Sequence, residues 1–310
     1  MAKLQSTEIV GVANRPATIC SNSVCMWFNT TLLKPIASYC ALLGIWSAGG
    51  ALSTARYGLA GAGTQNEGLA MGGGRFSACN NTEEYNGTSW AAGGVLITAR
   101  GSLAGAGTQN VGLAMGGGYF SACNNTEEYN GTSWAVGGAL STARYRLAGV
   151  GTQNVGLAMG GGRSTGCNNT EEYNGTSWAV GGVLITARGN LAGAGTQNVG
   201  LAFGGGYFPA VSCTEEYNGT SWAVGGVLIT ARYNLAGAGT QNEGLAFAGA
   251  SGPSCTEEYN GTSWVSCGAL ITPRQDLAGA GIQNAGLAIG GTPSSTEEYN
   301  KGIFLVDRHL

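Results

Sequence analysis

The feature that most constrains this chain is a long, strict period. One Arg recurs at Arg56, Arg100, Arg144, Arg188, Arg232 and Arg274, and one Trp at Trp46, Trp90, Trp134, Trp178, Trp222 and Trp264. The interval is 44 residues, with a single interval of 42. Between markers run four short, largely apolar pieces separated by turn residues. A period of about 40–50 residues built this way is the signature of a β-propeller blade, one four-stranded antiparallel sheet per repeat.

The copy that starts at Arg100 divides into four strands. Leu103–Ala106 reads as strand A, and Gly107-Thr108-Gln109-Asn110 turns it into strand B, Val111–Met115. Gly116-Gly117-Gly118 ends strand B, and a looser loop from Tyr119 to Asn125 leads to strand C, Thr126–Tyr129. Asn130-Gly131 reads as a two-residue hairpin turn with positive φ at both central positions. Strand D starts near Trp134 and runs toward Arg144. The small residues of strand A suit the crowded centre of a ring, and Trp and Tyr suit the outer strands, where blades diverge.

Arg-x-x-Leu-Ala-Gly, Thr-Glu-Glu-Tyr and the repeat Trp each occur six times, which predicts an all-β, six-bladed propeller. The order is circularly shifted, because the chain enters the repeat at Trp46 and leaves it at Thr296–Tyr299. The first D-type strand is therefore expected to complete the last blade, closing the ring and removing free sheet edges. The domains read as an N-terminal attachment or oligomerisation segment, 1–45, the propeller, 46–300, and a tail, 301–310. Within the first, Cys25–Phe28 reads as a strand, Asn29–Thr31 as a turn and Leu32-Leu33 as a second strand that Pro35 limits. The tail adds an outer strand or extends outward.

Composition excludes several functions. Fifty-seven glycines follow the long repeat and not a three-residue collagen period. Only 10% of residues are charged and the net charge is −3, so no basic patch exists to hold nucleic acid. The N-terminus lacks the apolar core of a signal peptide, and no apolar run reaches the roughly 18 residues of a membrane helix. A chain made soluble in the cytoplasm, with no membrane insertion, is the expectation. His309 is the single histidine, and Asp276 and Asp307 are the two aspartates. Histidine-based catalytic and metal sites are thereby excluded, as are Asp-rich calcium loops, so no enzyme, metal or cofactor is expected. Gly-Ala-Gly-Thr-Gln-Asn is a hairpin turn, since no Lys-Ser or Lys-Thr follows it. The two carboxylates of each Glu-Glu pair diverge across a strand, and one of them is expected to meet the repeat Arg. Cys79, Cys123, Cys167, Cys213 and Cys255 occupy equivalent places on different blades and cannot pair with each other, while Cys20, Cys25, Cys40 and Cys267 lie outside that register. All read as free thiols, with a Cys20–Cys25 or other N-terminal bridge as the alternative.

The spacing of Arg100, Gly116-Gly117, Tyr129 and Trp134 resembles the kelch repeat, over roughly residues 46–300. Thr-Ala-Arg-x-x-Leu-Ala-Gly-Ala-Gly-Thr-Gln with Thr-Glu-Glu-Tyr-Asn-Gly-Thr-Ser-Trp is similar to kelch-like repeats of bacteriophage structural proteins, especially tail fibres and virion-surface proteins of aquatic phages. Trp27–Thr31 resembles a short prefix that precedes such repeats in phage fibres. The pattern departs at Ala248-Gly249, where the Gly doublet fails, and at Pro273, where Ala usually precedes the Arg; both bear on local geometry in the fifth and sixth blades. The resemblance implies a non-enzymatic virion protein that attaches to other virion proteins through residues 1–45, is homo-oligomeric in the particle, and contacts a host-surface glycan or protein. A cellular kelch-type or lectin-like scaffold is the alternative.

The copies differ mainly in the B–C loops and at the start of strand A, which share one face of an antiparallel disc. From these come the candidate binding residues: Tyr57, Arg75, Phe76, Tyr119, Phe120, Tyr145, Arg146, Arg163, Tyr207, Phe208 and Tyr233. Tyr, Phe and Arg on a Gly-rich frame suit protein or glycan contacts. The start-of-A pairs Gly101-Ser102, Gly189-Asn190, Tyr233-Asn234 and Gln275-Asp276 belong to the same variable set. The six repeat Arg and six repeat Trp are expected to be structural.

Overall fold

A computed structural model describes residues 18–21, 24–29, 34–74, 76–119, 121–162, 165–206, 209–292 and 295–307. Residues Ile45–Asn300 form one compact unit; Met1–Gly44 and Lys301–Leu310 belong to a second. The larger unit is a six-bladed β-propeller of four-stranded antiparallel blades.

In the second blade the strands are Ala104–Gly107 (A), Gly112–Met115 (B), Thr126–Tyr129 (C) and Trp134–Val136 (D), in spatial order A-B-C-D. The first, third, fourth and fifth blades repeat this arrangement. The sixth takes strands A and B from Ala278–Ile282 and Ala285–Ile289, C from Thr296–Asp307 and D from the N-terminal strand Lys34–Ala48. The circular shift of the repeat thus closes the ring.

Two local expectations are corrected. Strand D is three residues long and does not approach Arg144. After Val136 the Gly137 N–H donates to Thr126 O at the far end of strand C, and the chain then crosses to the next blade. The C–D turn is also not a two-residue hairpin. Tyr129 pairs with Trp134 across a four-residue loop, Asn130–Ser133, and only Gly131 (φ 89°) has positive φ. Asn130 holds the loop instead, its Oδ1 accepting from the Thr132 and Ser133 N–H groups at 3.0 and 2.9 Å, an Asx turn.

The departures from the repeat leave the blade intact. Ala248 adopts φ 59°, where the equivalent glycines of other blades have 60–63°. Arg274, after Pro273, keeps its ion pair with Glu297 at 3.2 Å.

In the second unit, Thr18–Ser21 pairs with Val24–Asn29, which pairs with the start of Lys34–Ala48. The expectation that Pro35 limits this last strand is corrected. Pro35 stands at its second position, opposite Phe28, where a missing N–H is tolerated, and the whole strand is fifteen residues long. Leu32-Leu33 and Thr30-Thr31 lie outside the described residues. Cys20 and Cys25 are direct cross-strand partners in register. Cys79, Cys123, Cys167, Cys213, Cys255 and Cys267 are free thiols.

Each blade reaches back to the one before it through the residues that do not vary. Tyr129 Oη donates to Glu84 Oε1 at 2.7 Å, Trp134 Nε1 to Thr82 Oγ1 at 2.9 Å, and Gln109 Nε2 to Gly68 O and Tyr85 O at 3.1 and 2.6 Å. The same bonds link the first blade to the sixth: Tyr85 to Glu298, Trp90 to Thr296, and Gln65 to Gly286 O and Tyr299 O. Three hydrogen-bond rings therefore run around the propeller. Because these phenols are buried and bonded to carboxylates, those of Tyr85, Tyr129, Tyr173 and Tyr259 are pushed up to about 12, with burial the larger cause.

The two glutamates of each Thr-Glu-Glu-Tyr diverge as strand geometry requires. The second meets the neighbouring Tyr; the first pairs with the Arg of its own blade, at 2.9–3.2 Å in the second to sixth blades and in the Arg56–Glu83 pair of the first. All six Arg are buried, and Arg144 Nη1 also donates to Gly160 O and Asn169 O, both at 2.8 Å. Burial pushes the Glu83 carboxyl up, but the Ser53 hydroxyl and N–H and the Arg56 charge outweigh it and hold it below the usual range.

Candidate functional site

The invariant polar groups are engaged between and within blades, which leaves the positions where the blades differ to form a site. In the first five blades the strand-A start and the B–C loop are tied together at their bases. Tyr57 and Gly74 exchange N–H···O bonds at 3.1 and 3.0 Å, as do Tyr145 and Gly162 at 3.3 and 3.0 Å. The connection between blades joins the same patch, with the Leu96 N–H donating to Asn80 O at 2.8 Å and the Arg100 N–H to Cys79 O at 3.2 Å. The other two turns meet on the opposite face, where Gly87 of a C–D turn lies against Asn66 of an A–B turn.

Among the candidate binding residues, Phe76 is 83% exposed and Tyr119 41%. Arg146 is exposed, its guanidinium carbon 5.3 Å from the centre of the Tyr145 ring. Tyr57, Tyr145 and Tyr233 are half-buried. Arg75, Phe120, Arg163, Tyr207 and Phe208 lie outside the described residues. Of the twelve residues expected to be structural, the Arg and five Trp are buried and Trp178 is half-buried.

At the centre of this face the structure brings together, as one ring, residues of the variable start-of-A set read from the sequence, Arg146 among its candidate binding residues. Gly58, Ser102, Arg146, Asn190, Asn234 and Asp276, one from each blade, form a closed ring of backbone hydrogen bonds. Each donates its N–H to the carbonyl of the preceding blade's residue, at 2.7–3.0 Å, and Gly58 closes the circle on Asp276. All six have φ between 51° and 61°. For a non-Gly residue this left-handed conformation costs about 1–2 kcal/mol, less for Asn and Asp, whose short polar side chains bond locally. At their other recurrent left-handed positions the blades take glycine, with Ala248 the exception. Gly63 and Gly73 have glycine counterparts with positive φ in all six blades, and Gly87 in every blade with that loop. Only at the axial ring do five blades carry a side chain.

These residues rim a cavity of about 70 Å³ whose lower wall is the buried ring Leu59, Leu103, Leu147, Leu191, Leu235 and Leu277. A second cavity, of about 90 Å³, follows along the axis between the Leu-Ala-Gly segments of the six A strands. Arg146 and Asp276 belong to the third and sixth blades and so stand on opposite sides of the ring. Burial pushes the Asp276 carboxyl up, and the Arg146 charge offsets part of that rise. Asn190 Nδ2 donates to Gly206 O at 3.2 Å, which fixes the orientation of its amide.

The signal for this ring was present in the sequence as the second of two variable positions before an invariant Leu-Ala-Gly. It needed ring closure to become a site. Among the described residues no group of three His, Cys, Asp or Glu side chains is placed to hold a metal ion, and no helix is long and apolar enough to cross a membrane. No protein-family model matches the chain, and no curated protein matches it.

Proposed function

We propose that the chain is a non-enzymatic structural protein of a phage particle, a tail fibre or another surface-exposed virion component, that uses its propeller to bind a protein or a host surface. One observation carries the binding role: the repeat's invariant Arg, Glu, Tyr, Trp, Gln and Thr are engaged in holding the blades, and variation is concentrated on the single face formed by the B–C loops and strand-A starts. A rigid frame that presents differing Tyr, Phe and Arg side chains on one side is suited to recognition. The virion role is supported by the resemblance of Thr-Ala-Arg-x-x-Leu-Ala-Gly-Ala-Gly-Thr-Gln and Thr-Glu-Glu-Tyr-Asn-Gly-Thr-Ser-Trp to kelch-like phage repeats. Residues 1–45 would then attach the propeller to other virion proteins.

Peptide mass spectrometry on density-purified viral particles from the source tests this reading. The expected result is the chain at stoichiometric abundance. Recovery only from the cell lysate would overturn the virion role and leave a cellular kelch-type or lectin-like scaffold.

A further inference from the structure

We infer that the axial ring of the variable face is a binding site for a neutral, hydroxyl-rich small molecule, a single sugar unit. This rests on the reading of that face as a recognition surface and names its ligand class and its centre. The placement carries the inference first: the ring surrounds a cavity with a polar rim and a leucine floor, the arrangement of a small-molecule site in which a few polar groups set orientation. The choice of residues carries it further. Five of six blades hold Ser102, Arg146, Asn190, Asn234 or Asp276 in a conformation that glycine takes freely and that, Ala248 apart, the blades give to glycine at their other recurrent positions. Side chains retained against backbone preference point to a use for them.

Chemistry selects the ligand class. Arg146 and Asp276 carry opposite charges on opposite sides, so the ring as a whole has none. Neither an anion nor a cation gains from it, because each would meet its own sign across the cavity. The remaining groups, two amides and one hydroxyl, both donate and accept hydrogen bonds. A ligand that matches them must also donate and accept at several points around its edge while presenting C–H surface to the leucines. Vicinal hydroxyls on a saturated ring do so. At about 70 Å³ the cavity is smaller than a whole hexose, so it takes one edge of a single such ring while the rest stays above the rim, and it does not take a chain of them.

The test uses the full chain and saturation-transfer NMR with glucose, galactose, mannose and N-acetylglucosamine in turn, with glycine as a zwitterionic and phosphate as an anionic comparison. The variants are Asp276→Asn, Arg146→Ser and Asn190→Gly. Each installs a residue that another blade already carries at the same φ, so the backbone ring persists, and circular dichroism checks the fold. The expected result is transfer to at least one of the four sugars, with affinity weakened about tenfold by Asp276→Asn and by Arg146→Ser, one or two hydrogen bonds' worth. Transfer to none of the sugars overturns the inference. So does sugar binding that all three variants leave unchanged, or glycine or phosphate bound more tightly than any sugar. Host-cell attachment, measured in parallel with Phe76→Ala and Tyr119→Ala, separates the two readings. If those variants lose attachment while no sugar binds the wild type, the recognition face stands and the axial site falls.

Discussion

The second position of the A-strand Ala-Gly-Ala-Gly is glycine in every blade, yet the same Gly→Ala substitution is expected to have opposite outcomes in different blades. At Gly279 a Cβ would stand 2.3 Å from Gly237 O of the neighbouring innermost strand and 2.9 Å from Phe247 Cζ. Both strands are β-bonded on their other sides, so relief requires moving backbone near the axis, an overpacking that costs about 3 kcal/mol or more. At Gly193 the nearest atoms are Val150 Cγ1 at 3.1 Å and Met159 Cε at 3.2 Å, ends of side chains, and the backbone Leu201 O at 3.3 Å, so a shift of a few tenths of an ångström relieves all three. Neither glycine has positive φ, so alanine fits the backbone at both and restricts the unfolded chain, a gain of about 0.4–1 kcal/mol. Gly193→Ala is therefore expected to be near neutral and Gly279→Ala to cost a net of about 2–3 kcal/mol. At about 2–4 °C per kcal/mol for a domain of this size, the two variants should melt roughly 4–10 °C apart. Thermal melts followed by circular dichroism, with urea unfolding to confirm equal m-values, read the difference. Melting temperatures within about 2 °C of each other, or Gly193→Ala as the less stable, would refute the assignment of these glycines to contacts between blades.

Three further outcomes follow from the same geometry. Arg144→Met leaves Glu171 buried without its cation and should cost about 3–5 kcal/mol, whereas Arg144→Met with Glu171→Leu should recover much of it; a double-mutant cycle from urea unfolding measures this. Gln153→Ala removes the bonds to Gly112 O (3.0 Å) and Tyr129 O (2.7 Å) of the neighbouring blade and should cost about 1–3 kcal/mol, read as a lower urea midpoint. Alkali should unfold the propeller cooperatively. The folded-state pKa of Tyr85, Tyr129, Tyr173 and Tyr259 is about 12, above the ordinary value of 10, so their contribution is complete below pH 10 and is lost as pH rises toward 12. Each contributes up to about 1.4 kcal/mol per pH unit in that window. Urea midpoints at pH 9, 10, 11 and 11.5 should fall with increasing slope, and Tyr129→Phe should flatten it.

The blade was legible because its determinants lie close together along the chain. The strand C boundaries at Thr126 and Tyr129, the positions of the turns and the meeting of Arg with one glutamate all follow from residues within one repeat. The end of strand D did not. It is set by the crossing to the next blade, where Gly138 stands 2.2 Å, by its would-be Cβ, from Thr176 O of the blade it enters. The Asn130 turn was misread because Asn-Gly suits two turn geometries, and the Thr132 and Ser133 amides that decide between them lie on its far side.

The chain by itself determined the blade, the number of blades and the closure of the ring through its shifted ends, since a strict period states each of these directly. Tertiary structure decided what the repeats do to one another. Tyr129 and Glu84 are 45 residues apart, Trp134 and Thr82 are 52 apart, and Gly58 and Asp276 stand at opposite ends of the repeat array. Nothing local in the sequence pairs them. They meet because six wedge-shaped sheets, closed into a circle, bring the start of every A strand to one axis. There six residues, five of them with side chains, become the rim of a single cavity.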